Sequence, residues 1–286
     1  MKFETGVENR IAMKKNGMSF VASILFVVCT AFQGPGVGSA PSPDSAVVYP
    51  KVENKAFRAG ELLKFRVHYG IIDAGTAQLE VTKPDRKIAG RELLHVVGTG
   101  RSKGAFDWFF KVRDRYESYL DEEGVFPWLF IRRIEEGGYS KSQDYKFFQN
   151  KQKVLTNKGK TFDVPIGVQD MLSAFYYART MDFTGLQAGD TVTVTSFIDD
   201  EVYPLRIKYV GKEVVKIRSG SYRCMKFNTI VQEGRVFKAN EDLAVYISDD
   251  ENKIPILGEV KILVGSIKVE LTEYKGLANP LSKVDD

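Results

Sequence analysis

The strongest constraint on the fold is a side-chain alternation with a period of two that recurs along most of the chain. In Glu61–Gly70, ELLKFRVHYG, the residues Leu63, Phe65, Val67 and Tyr69 share one face, and Leu62, Lys64, Arg66 and His68 share the other. A β-strand turns successive side chains to opposite faces, so this spacing gives a strand one buried face; on a helix it would scatter the apolar residues. The same alternation returns in TAQLEVT, LLHVVGTGR, WLFIRRIEEGG, TVTVTSFI and LAVYISDD, with Gly, Asp, Asn or Pro closing the runs. Short strands separated by turn chemistry predict a mainly β fold, an antiparallel sandwich or an open barrel-like sheet.

One segment breaks the pattern. In VQDMLSAFYYART, Val168–Thr180, the residues Val168, Met171, Leu172, Phe175 and Ala178 recur at the helical spacing, and Pro165 and Gly167 suit a loop leading in. The sheet is therefore expected to pack on one central helix. A shorter helical turn is expected at GAFDWFFK.

The N-terminus has a different character. Lys14 and Lys15 precede the 14-residue apolar run Ser19–Phe32, and a Gly/Pro/Ser-rich stretch containing Gly38-Ser39-Ala40 follows. A basic start, a short apolar run and a small-residue exit describe a secretory signal peptide; a membrane-spanning helix needs about 20 apolar residues. Residues 1–40 are accordingly read as signal peptide and exit segment, 41–56 as a flexible linker, 57–277 as a single β-rich domain and 278–286 as a polar tail. The expected location is the periplasm or the exterior, with no transmembrane helix in the mature chain. Val27 and Val28 stand where a lipoprotein signal wants a small residue, which argues against a lipid anchor on Cys29. Cleavage near Ala40 leaves Cys224 alone, so no internal disulfide can form and the core must carry stability. The formal charge of +4 falls to +2 when residues 1–40 are removed, and no basic face is clustered enough for nucleic acid.

Four pieces in order, FRAGELLKFRVHYGIIDAGTAQLEV, KVRDRYESYLDEEGVFPWLFIRRIEEGGY, QDMLSAFYYAR and VYISDDENKIPILGEVKILVGSIKVELTEYKG, cover about 57–276 and together resemble the DUF3108 family of exported bacterial proteins. The resemblance implies an exported, mostly β protein. The family has no assigned activity, so the resemblance carries over no catalytic set.

The residues themselves offer little chemistry. His68, His95 and Cys224 are too few and too scattered for zinc, and no cofactor motif is present. Cys224 within SYRCMKFN reads as a small buried hydrophobe. Glu135-Glu136, Asp199-Asp200-Glu201 and Asp249-Asp250-Glu251 all sit where strands end, where Asp favours turns; AVYISDDENKIP is read as a hairpin. No catalytic residue and no metal site is assigned.

The aromatic clusters FDWFF, VFPWLF, FYY and KFF are the feature that turn chemistry leaves unexplained. They either fill a curved sheet or line a hollow for an apolar ligand. Trp108, Phe109, Trp128, Phe130, Phe175 and Tyr176 are the lining candidates. Three readings follow. The first is a carrier of a lipid-like or other apolar envelope ligand, which needs a pocket beside the helix. The second is a scaffold that binds another envelope protein, which needs an exposed apolar patch. The third is a glycan hydrolase, which needs two carboxylates facing across a groove, with Glu135 and either Asp114 or Glu117 as the first pair. Nothing in the sequence sets the oligomeric state.

Overall fold

The computed structural model describes residues 48–230, 243–261 and 265–285. The signal-like segment and the expected cleavage region lie outside them.

The alternating runs become strands of one 15-stranded sheet in which the pairings between strands are antiparallel. The first half is a meander: β1 (Leu62–Tyr69), β2 (Ile72–Thr82), β3 (Leu93–Ser102), β4 (Arg113–Asp121), β5 (Pro127–Glu136), β6 (Tyr139–Phe148), β7 (Lys153–Thr156) and β8 (Thr161–Asp163). The second half is another: β9 (Thr191–Ile198), β10 (Glu201–Ile217), β11 (Gly220–Thr229), β12 (Leu243–Ser248), β13 (Pro255–Lys261) and β14 (Ser266–Lys275). Pairing of β1 with β14 fuses the two, and β15 (Lys283–Val284) adds to β11. Among the described residues two α-helices interrupt the strands, α1 (Gly104–Phe109) after β3 and α2 (Met171–Thr180) between the halves, and a 3-10 turn (Gln149–Lys151) separates β6 from β7.

Alternation sets which face is buried. Leu63, Phe65 and Val67 of β1, Val81 of β2 and Ile267, Val269 and Leu271 of β14 enter one continuous core with Leu172 and Tyr176 of α2. Tyr69, expected on the same face, reaches the rim of the sheet and is exposed.

A twisted sheet of this width curls, and here its two ends are tied together. Gln169, just before α2, covers the free edge of β9: its N–H donates to Thr195 O at 3.0 Å, and its carbonyl accepts from Phe197 N at 2.7 Å. At the β9–β10 turn, Asp199 and Asp200 have φ of 51° and 69°, the left-handed pair that a tight hairpin turn demands. Their carboxylates reach across to the other half. Arg132 of β5 donates to Asp199 at 2.9 Å, Lys141 of β6 also bonds Asp199, and Tyr145 of β6 donates to Asp200 at 2.8 Å. Burial raises Asp199, but the two cations outweigh it and hold the carboxyl below its usual range. The turn expected from sequence is also the clasp that closes the roll.

The central helix is shorter than its sequence pattern and more enclosed. It begins at Met171 because Asp170 caps it, accepting from Leu172 N (2.7 Å) and Ser173 N (2.8 Å) while Ser173 Oγ accepts from Asp170 N. Strands pack around it, so burial extends beyond one stripe to Ser173, Tyr176 and Arg179.

The described residues before β1 and after β14 pack against the sheet. Residues 48–56 are no free linker: Tyr49 stacks on Phe126 at 5.8 Å, Val52 N donates to Glu123 O, and Ala56 is buried. The polar tail after Leu277 is docked. Asn252, fully buried in the β12–β13 turn, donates to the carbonyls of Asn279 and Pro280 and accepts from Asn279 N at 2.8 Å; Asp250 accepts from Ser282 N at 2.7 Å. A polar tail can be ordered when buried acceptors and donors wait for its backbone.

Candidate functional site

Between α2 and the strands of the second half lies an apolar cavity of about 170 Å³ that opens to solvent. The helix contributes Met171, Ala174, Phe175 and Ala178; facing strands contribute Val194, Leu205, Phe227 and Val245; Phe65 and Leu79 form its floor. Ala174 and Ala178 are four residues apart and share a helix face, so two methyl groups stand where larger side chains would close the space. That pair is the sequence signal for the hollow, and the aromatic residues around it mask it.

Of the six expected lining residues, Phe175 lines this cavity. Tyr176 points the other way, edge-on to Phe57 at 4.8 Å. Phe130 is in the core, stacked on Tyr145, and Trp128 belongs to a separate small cluster with Leu93 and Phe126, donating Nε1 to Asp121 at 3.2 Å. Trp108 and Phe109 are outside altogether, 91% and 73% exposed. The rings of the two Trp-bearing segments therefore do not line the cavity.

At the C-terminal end of α2 the cavity wall is Arg179, whose side chain is 2% exposed. It donates to both oxygens of the fully buried Glu61 (2.6 and 2.7 Å), to Asn252 O (2.8 Å) and to Ala56 O (3.2 Å), and lies over the rings of Phe57, Phe175 and Tyr176. Its donors are directed at protein acceptors and so close the cavity end structurally. Burial, with Glu61 beside it, raises the Tyr176 hydroxyl well above its usual value and keeps it neutral. On the other face of the same strands a polar concavity of about 480 Å³ is lined by Lys208, Lys226, Lys261 and Glu259.

The carboxylates do not assemble as a hydrolase pair. Glu135 faces outward to Lys111 at 3.0 Å, and Glu117 bonds His95 (2.8 Å) and Arg115 (2.7 Å) on the outer face. Asp114 points inward, where its partner is Glu136. Burial and then the Glu136 charge push the Asp114 carboxyl far upward and favour its protonated form.

Burial also lowers His95, against the pull of Glu117. His68 lies 2.7 Å from Gly70 O and 3.1 Å from Glu270. Cys224 is buried, and burial pushes its thiol up to about 12, so it is no nucleophile. Among the described residues no three His, Cys, Asp or Glu side chains converge to hold a metal ion, and no helix is long and apolar enough to cross a membrane.

No curated protein matches the chain in sequence. Among solved structures, the chain is similar to a β-barrel-like protein of the domain of unknown function DUF1849 from Brucella abortus, at 11% identity and a TM-score of 0.49, over 77% of this chain and 98% of that one. It is also similar to a protein with a YmcC-like fold from Bacteroides fragilis, at 10% identity and a TM-score of 0.33, over 81% of this chain and all of the other. The sequence over residues 64–272 matches the protein family of unknown function DUF3108, and the chain belongs to that family.

Proposed function

We propose that the protein is an exported envelope protein that carries a hydrophobic or amphipathic ligand, with the cavity beside α2 holding the ligand's hydrocarbon part. The observation that carries this reading is the cavity itself. Its volume of about 170 Å³ exceeds the ~150 Å³ of a dry engineered cavity that binds benzene. A ligand group that fills the space beside α2 removes apolar wall from water, worth roughly 25 cal/mol per Å² buried, and the apolar walls select for hydrocarbon. The N-terminal signal pattern supports an envelope location.

The test is to fill the space from the helix. Ala178→Phe projects a ring into the cavity and leaves the outer faces of the sheet unchanged. Binding of the apolar dye N-phenyl-1-naphthylamine, followed by fluorescence, is expected to weaken at least about tenfold while the thermal midpoint holds or rises. Dye binding that is undetectable in the wild type, or unchanged in Ala178→Phe, overturns the reading.

A further inference from the structure

The rim where β1 turns into β2 and β3 runs into α1 carries large apolar side chains that the core does not use. Ile71 is 95% exposed and Ile72 59%, and across the same rim stand Trp108 and Phe109. The two segments are neighbours: Gly75 pairs with Ser102, and Lys103 N donates to Ala74 O at 2.9 Å. Soluble proteins leave single apolar residues exposed without consequence, but a cluster of this size marks a surface that something covers.

The rim is pre-organised. Phe106 of α1 packs on the core, and the ring of Phe110 lies over Gly137, where a Cβ would sit 2.3 Å from the ring. Asp107 accepts from Arg113 at 2.7 and 2.9 Å and from Ser102. These bonds hold the Asp107 carboxyl down at about 2, so the latch stays charged across the physiological range. With Phe106, Asp107 and Phe110 anchored, α1 is fixed with Trp108 and Phe109 outward. In FDWFF the rings thus divide between core and solvent, so α1 is not a poorly packed core helix.

The charge around the patch is positive. Each carboxylate near it is matched: Asp73 with Arg66, Asp107 with Arg113, Glu135 with Lys111. Arg101 and Lys103 are both exposed, and neither is within ion-pair distance of a carboxylate among the described residues, Lys103 acting on Asp73 only at longer range. Lysine is depleted in the centres of protein–protein interfaces, whereas an indole beside exposed cations suits the boundary between lipid headgroups and acyl chains.

We propose that this rim is a membrane-docking surface that inserts Ile71, Ile72, Trp108 and Phe109 into the interface of a bilayer bearing anionic headgroups, with Arg101 and Lys103 on the headgroups. The surface acts independently of the cavity. The protein is peripheral, held by a few side chains, and its attachment is reversible and salt-sensitive.

The test uses the purified protein with vesicles of phosphatidylethanolamine containing phosphatidylglycerol, and with vesicles of phosphatidylethanolamine and phosphatidylcholine alone. Co-sedimentation with the anionic vesicles is expected, together with a blue shift of tryptophan emission and quenching by doxyl-labelled lipid; Trp128 is buried, so the signal reports Trp108. Trp108→Ala with Phe109→Ala is expected to weaken vesicle binding at least about tenfold with the unfolding midpoint unchanged, because neither side chain is in the core. Should the variant fold poorly, quenching in the unmutated protein tests the same insertion. The proposal is overturned by absence of vesicle binding, by equal binding to the vesicles lacking phosphatidylglycerol, by binding the double variant retains, or by a Trp108-dependent dimer that buries the patch.

Discussion

Arg179 is the residue whose loss tests most of the architecture at once. Its guanidinium joins four parts of the chain: α2, on which it sits, the start of β1 through Glu61, the N-terminal segment through Ala56 O, and the β12–β13 turn through Asn252 O. Arg179→Met keeps the volume of the aliphatic stem and deletes all four hydrogen bonds. Glu61, fully buried, then has no countercharge, and breaking a buried pair in this way costs about 3–5 kcal/mol. The two carbonyls lose a charged donor each, which adds to the loss. A total of about 4 kcal/mol or more is expected, enough to leave a typical domain marginal. Glu61→Leu should cost a similar amount by stranding the cation. The double variant Glu61→Leu/Arg179→Met removes both charges together, and only the orphaned carbonyls remain, so it should be more stable than either single variant. Urea unfolding followed by far-ultraviolet circular dichroism gives the three values, provided the m-value holds. A loss under about 1 kcal/mol in Arg179→Met, or a double variant whose loss equals the sum of the singles, refutes the argument.

Two further outcomes follow from the caps and the clasp. Burial pushes Asp170 up to about 6 despite its hydrogen bonds from Ser118, Ser173 and Leu172, so between about pH 4 and 6 the folded state binds more protons than the unfolded. Stability from this group is therefore fully present below that window and falls by about 3 kcal/mol as pH rises through it; Asp170→Asn keeps a good cap and should flatten that slope in a pH series of urea midpoints. Replacing Asp199-Asp200 with Asn-Gly supplies the residues a two-residue turn favours, yet removes the carboxylates that hold Arg132, Lys141 and Tyr145. Loss of about 1–2 kcal/mol and faster amide exchange in β9 and β10 are expected; a gain in stability would mean the carboxylates contribute nothing beyond the turn.

Much of the frame is legible in the chain. Alternation at Leu63, Phe65 and Val67 is a local property of a strand, as is the spacing of Met171, Leu172 and Phe175 in a helix, and each can be read without knowing any partner. The carboxylate runs read as turns because Asp supplies local backbone geometry. The family can be read from four ordered segments, and it leaves the activity open.

What a side chain faces across the fold is not legible there. Trp108, Phe109, Trp128 and Phe130 look from sequence like rings of one hollow, but α1 turns two of them to solvent and β5 directs the others into two separate clusters. The aromatic content advertises apolar area without saying where it lies. The cavity comes instead from two alanines on a helix that the sheet wraps. The role of Arg179, the second function of Asp199 and Asp200, and the docking of residues 279–284 all depend on groups far away in sequence. Sequence by itself determined the secondary structure and the strand faces, because those follow from the period of the chain. Only the tertiary structure decided where the sheet closes, where it is hollow and which apolar side chains remain outside, because those depend on which distant strands meet.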